Sequence, residues 1–148
     1  MANPDSVAQN TASSFGNYAI ASATAVPLGT TGNAVVALPI LGGGLTVGGN
    51  AATSGSVIVR RITVQNPSGN VATGNVSILT SNDGNASNAI VAAAALSSLT
   101  GTGTFQDMTI AGGNVVVAGT TTQALYVKVG TAVSGTVDIR VYGDTVNF

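Results

Sequence analysis

The 148-residue chain has no cysteine, no histidine, no tryptophan and no glutamate. Without cysteine there is no disulfide framework, and without cysteine or histidine there is no zinc site of the usual ligands. Ser-His-Asp and Cys-His catalysis are excluded on the same ground. Charge is scarce as well. Only 6% of residues are charged, with a net charge of -1, against about 25% in an average soluble domain. Four basic residues cannot build the phosphate-neutralising surface that nucleic-acid binding requires. Long apolar runs are missing too. The longest, Ala89 to Leu96, falls far short of the roughly 20 residues a spanning helix needs, so no membrane partner is expected. The first residues, Met1 to Gln9, contain no Lys or Arg and so lack the charged start of a secretory signal. A chain made in the cytoplasm and soluble there is the expectation.

What is present is a polar surface of Thr, Ser and Asn, with 45% hydrophobic residues and 20 glycines. Enough apolar material exists for a packed core, and a length near 150 residues fits one domain. Near-zero net charge leaves little repulsion between copies and favours association. A homo-oligomer is therefore expected.

Gly-Asn pairs punctuate the chain at Gly16, Gly32, Gly49, Gly69, Gly74, Gly84 and Gly113. Both residue types tolerate the positive φ of tight connections. Short Val-, Ile- and Thr-rich runs lie between them, the pattern of an all-β sandwich or barrel. Thr136 to Tyr142 alternates, with Val137, Ile139 and Val141 on one face and Asp138, Arg140 and Tyr142 on the other. Ala124 to Gly130 alternates likewise around Leu125, Val127 and Val129. Ile62 with Val64, and Val76 with Ile78, mark two more half-buried strands. Weaker candidates cover 18–26, 34–41, 45–48, 89–93, 104–110 and 114–118. The last two strong strands are expected to form a hairpin pairing Val129 with Val137, Lys128 with Asp138 and Tyr126 with Arg140. Residues 89–99 read as strand to about Ala94, then a turn or loop to Thr100; the alanines leave a helix open. Residues 1–17 show no periodicity and read as an extended arm ahead of a single sandwich domain at 18–148.

Few residues offer chemistry. Asp107 and Asp138 could face each other as glycosidase carboxyls, yet nothing in the sequence accompanies them as a supporting acid-base cluster, and surface roles fit better. Ser81 to Asn85 carries oxygens in a turn but lacks the spaced carboxylates of a calcium loop. Gly42 to Gly44 precedes no capped helix and is no phosphate cradle. No catalytic residue, metal or cofactor is expected. Arg60 is the residue out of place. Strict alternation over 56–66 puts it on the apolar face with Ile58, Ile62 and Val64. A guanidinium there needs a carboxylate or a subunit contact, unless a bulge shifts the strand or the side chain reaches out at the rim.

Three segments carry a resemblance. They are Arg60-Arg61-Ile62-Thr63-Val64-Gln65-Asn66-Pro67-Ser68-Gly69, then Ala95 to Thr100 followed by Phe105 to Thr109, and the end from Leu125 to Asp144. They resemble segments of tailed-bacteriophage head decoration, or cement, proteins. The resemblance implies an antiparallel, jelly-roll-like β-sandwich, a trimer, and a place on the capsid exterior against the major capsid protein after synthesis in the host cytoplasm. It brings no catalytic residues. Arg60, Phe15 and Tyr18 are the expected subunit or capsid contacts. The alternative expectation is a carbohydrate- or receptor-binding sandwich of a tail or fibre, with Tyr126 and Tyr142 together on one outer hairpin face.

Overall fold

Valine, isoleucine and threonine pack well on a pleated surface, while Gly and Asn end each run. Among the described residues, strands are the predominant element. The structure, a computed structural model, describes residues 19–32, 35–39, 46–47, 50–51, 55–111, 115–117 and 124–147. Its strands are β1 (Ala19–Pro27), β2 (Val35–Pro39), β3 (Thr46–Val47), β4 (Asn50–Ala51), β5 (Gly55–Gln65), β6 (Asn75–Leu79), β7 (Ala89–Ala95), β8 (Phe105–Met108), β9 (Val115–Val117), β10 (Ala124–Thr131) and β11 (Thr136–Asn147). A single 3-10 turn, Ala86–Asn88, is the only helical element among the described residues. The expected arm at 1–17, which includes Phe15, lies outside the described residues, as do Tyr18 and Gly42 to Gly44.

The strands form two antiparallel sheets. The first runs β1-β11-β5-β8, with β9 also paired to β5; the second runs β2-β10-β6-β7. β3 and β4 pair with each other. With β3, β4 and β9 set aside, the chain winds as one doubled ribbon. Its nested pairs are β1 with β11, β2 with β10, β5 with β8 and β6 with β7. Successive pairs fall on alternate sheets. The inner faces enclose one core, which includes Ile20, Ile62, Val64, Ile139 and Val141 from the first sheet and Leu38, Val76, Ile78, Leu125 and Val127 from the second. This is an antiparallel β-sandwich, as the alternation predicts. Buried loop residues close one end. Val71 N donates to Leu99 O at 3.0 Å, Leu96 N to Gly74 O at 2.9 Å and Leu28 N to Gly135 O at 3.0 Å.

The expected hairpin between the last two strands does not form. β10 belongs to the second sheet, where Val129 faces Val76, and β11 belongs to the first, where Ile139 faces Val64. The short link at 132–135 carries the chain from one sheet to the other, and Val133 N donates to Leu28 O at 3.0 Å on the way. Period-2 alternation shows which side of a strand is buried, not which strand lies beside it. Both apolar faces point into the same core from opposite sides, so the inward residues are right and the partners are not.

Arg60 sits at a bulge, one of the alternatives its place on the apolar stripe left open. Val57, Val59, Ile62 and Val64 are buried, while Arg60 and Arg61 are both exposed. In the register with β11, Tyr142 faces Arg61 and Gly143 faces Val59, which leaves Arg60 as the extra residue of a β-bulge. The bulge flips the phase of the strand. Ile58 therefore leaves the inner face, where alternation had set it, and becomes half-buried. The partner strand allows this through Gly143, which is buried and whose added Cβ would lie 2.0 Å from the carbonyl oxygen of Ile58. At 89–99 the strand ends at Ala95, and Leu99 N closes a turn on Leu96 O at 2.8 Å.

Candidate functional site

The two sheets present different outer faces. On the second, Lys128 Nζ donates to the carbonyl of Gly84 at 2.7 Å and pins the connection from Ser81 to Asn88 against that face. Ser77, which faces Lys128 in the ladder, is buried although polar, and apolar Leu79, which faces Tyr126, is buried too. That connection is internally satisfied. Asp83 accepts from Ser81 Oγ at 2.6 Å, Asn85 N at 2.9 Å and Asn88 Nδ2 at 2.9 Å. These bonds, the Ser81 hydroxyl foremost, hold its carboxyl below the ordinary aspartate value. The carboxylate of this oxygen-rich turn is taken up by the turn's own backbone and side chains. No group of three or more metal-binding side chains occurs among the described residues.

The outer face of the first sheet is open and holds most of the charge. Arg60, Arg61, Asp107, Asp138, Arg140 and Asp144 stand on it, six of the nine charged residues in the chain. Strand register arranges them in rows. Arg61 faces Tyr142, and its guanidinium lies 4.4 Å from the ring centroid. The next row is Ser22, Arg140, Thr63 and Asp107, with Thr63 Oγ1 donating to Asp107 Oδ1 at 2.5 Å. The third is Asp138, Gln65 and Phe105. At the bulge Arg60 Nε donates to Asp144 Oδ2 in an ion pair. Arg60 is therefore held by a carboxylate of its own chain on the surface.

Asp138 acts as a staple. Its carboxylate accepts from the backbone of Ala25 at 2.9 Å and from Asn66 Nδ2 at 2.9 Å. Ala25 and Asn66 both have positive φ, 52° and 51°, so one carboxylate fixes two strained backbone positions, one at the register shift inside β1 and one just past the end of β5. The Asn66 amide first, then the Ala25 N–H, lower the pKa of Asp138; desolvation opposes them, and the charge of Arg140 adds a smaller lowering. A general acid needs the opposite shift. Asp107 and Asp138 share a face with β5 between them, and Asp138 serves the backbone.

Beside these rows lies a hollow of about 270 Å³ over Thr63 and Gln65, bounded by Phe105, Asp107, Arg61 and Tyr142, and closed at one end by Asn66 and the Gly103–Thr104 turn. Phe105 is 64% exposed and is the only large hydrophobic residue so exposed among the described residues. A hairpin of the last two strands would set Tyr126 and Tyr142 together, but they stand on different sheets. The pairing of β5 with β8 brings Phe105 to Gln65 across 40 positions of sequence, and no local pattern announces it.

No family model matches the chain, and neither a curated protein nor a solved structure matches it. Among the described residues no helix is long and apolar enough to cross a membrane.

Proposed function

We propose that the protein is a capsid decoration protein, a trimer that seats on the exterior of a bacteriophage head against the major capsid protein and stabilises the lattice. The observation that carries this reading is the winding of the chain. Nested strand pairs fall on alternate sheets, the way a doubled ribbon wraps into a jelly roll, an architecture used repeatedly in viral capsids. The resemblance of the Arg60–Gly69 and C-terminal segments points the same way. Contacts with the lattice would use apolar packing, backbone pairing at the edge strands β1, β2, β7 and β8, and hydroxyl or amide hydrogen bonds. Many copies on a repeating lattice bind by avidity.

The test is co-sedimentation of the purified protein with undecorated heads, followed by heating of the heads. Saturable binding that raises the rupture temperature and persists as salt increases is the expected outcome, because few of these contacts are ionic. Absence of saturable binding, or binding without gain in head stability, refutes the reading. Light scattering of the free protein should give three times the 14.3 kDa chain mass; a monomer at micromolar concentration refutes the trimer.

A further inference from the structure

We propose that the hollow on the outer face of the first sheet binds a neutral pyranose ring, with Phe105 as the stacking platform. This goes beyond lattice binding and uses a different surface feature. The chain has six aromatic residues, and the one ring left widely exposed among the described residues forms the wall of a polar hollow. A sugar ring offers an apolar C–H face and a rim of hydroxyls, and Phe105 supplies the apolar plane. Gln65, facing Phe105 on β5, brings an amide that both donates and accepts. Asp107, two residues along β8, is oriented by Thr63 through one carboxylate oxygen. Its Oδ2 has no hydrogen-bond partner among the described residues and can accept from a hydroxyl.

Size and charge narrow the ligand. About 270 Å³ is below the roughly 300–1,000 Å³ of sites for drug-sized molecules, so one ring fits better than a nucleotide or a lipid. One guanidinium and one carboxylate border the hollow, and Arg61 is already laid on Tyr142. The balance gives no preference for an anion or a cation. Hydroxyls meet both kinds of group.

The test is ¹H–¹⁵N NMR titration of the free protein with methyl hexopyranosides, with sialic acid and glucuronate as charged arms and sorbitol as a hydroxylated chain without a ring face. Titration to about 50 mM, far above a millimolar Kd, should shift the amides of Gln65, Phe105 and Asp107 with a neutral pyranoside and not with sorbitol. Phe105→Ala should weaken binding about tenfold or more without changing the melting temperature, while Phe105→Tyr retains it. Gln65→Ala and Asp107→Asn should weaken it less, and Tyr126→Phe on the other sheet not at all. No shift with any pyranoside, equal shifts with sorbitol, a preference for the charged sugars, or undiminished binding by Phe105→Ala overturns the proposal. The same Phe105→Ala protein should still co-sediment with heads. If it loses heads and keeps sugar, the hollow is a lattice contact and the proposal fails; if it loses sugar and keeps heads, both readings stand.

Discussion

Gly143→Ala replaces one hydrogen by a methyl group at the point where the β5 bulge leans on β11. The new Cβ would lie 2.0 Å from the Ile58 carbonyl oxygen, 3.0 Å from its carbonyl carbon and 2.9 Å from Ile20 Cδ1, where ordinary contact begins at 3.4 Å. The nearest atoms are backbone, so no rotamer change relieves the overlap. β5 and β11 must part locally by roughly 1 Å or more, which is overpacking of the kind that costs about 1–3 kcal/mol. The same displacement stretches the ladder where Gly143 faces Val59 and Asp144 faces Ile58, adding about 1 kcal/mol for each hydrogen bond weakened. A loss of about 3–4 kcal/mol is expected, and at about 2–4 °C per kcal/mol for a domain this size the melting point falls by roughly 10 °C. Urea unfolding gives the free energy directly, at matched protein concentration because an oligomer ties stability to concentration. Gly69→Ala is the control: the same methyl group meets nothing within 4 Å, and the change should stay within about 0.5 kcal/mol. A Gly143→Ala protein less than about 1 kcal/mol below wild type, or as close to wild type as Gly69→Ala, refutes the claim that this close approach lets the bulge form.

Other outcomes follow from the charged face. Arg60→Ala should cost less than about 1 kcal/mol, because the side chains of its ion pair with Asp144 are 36% and 22% exposed and such surface pairs contribute little; a loss of 3 kcal/mol or more, the scale of an unpaired buried charge, would return Arg60 to the core. Asp138→Ala should lower stability by about 1–3 kcal/mol, since the Ala25 N–H and the Asn66 amide lose their acceptor, and urea unfolding checks it. The folded-state pKa of Asp138 lies below its ordinary 3.8, so its contribution is complete above that value and disappears as pH falls through the folded pKa. Wild type should therefore lose stability below about pH 4, and Asp138→Asn should show a shallower acid limb; identical limbs refute the staple. Gly135 has a φ of 141° and would set a Cβ 2.9 Å from Val71 Cγ1, so Gly135→Ala should destabilise by about 1–3 kcal/mol in the same assay.

How much could be read beforehand follows from what each signal measures. Alternation reports solvent on one side and core on the other, and it located the buried faces of Val137–Val141 and Leu125–Val129 without knowledge of the fold. It also flagged Arg60, because a charge on an apolar stripe contradicts the pattern. The contradiction was real; its resolution was a one-residue bulge, and that depends on Gly143, a residue on another strand more than 80 positions away. Strand partners were not legible for a similar reason. A short link and matched apolar faces are as compatible with crossing between sheets as with a hairpin, and backbone pairing leaves no mark on composition. The hollow beside Phe105 is the extreme case, since none of its walls is a motif by itself.

The scarcity of charge takes on a different meaning once the charges are placed. Spread evenly, nine charged residues would give a chain of this size a weak and featureless field. Six of them, three cations and three carboxylates, stand on the outer face of one sheet, and each carboxylate has a partner there: Asp144 the guanidinium of Arg60, Asp138 the amide of Asn66 with Arg140 nearby, and Asp107 the hydroxyl of Thr63. Such a face has short-range polarity and almost no net field. It neither steers a charged partner from a distance nor repels a neighbouring copy, and it keeps a hydrated surface over a sheet whose other side is apolar. Under the proposed lattice role, that arrangement would separate two requirements, association through the uncharged edges and loops and hydration of the one charged face. Moving the charge would test the separation: Thr102→Lys, exposed in the turn before β8, leaves that balance nearly intact, whereas Asp107→Lys with Asp144→Lys gives the same face a net positive field and should make the proposed self-association weaken at low salt; self-association equally independent of salt in both variants refutes it.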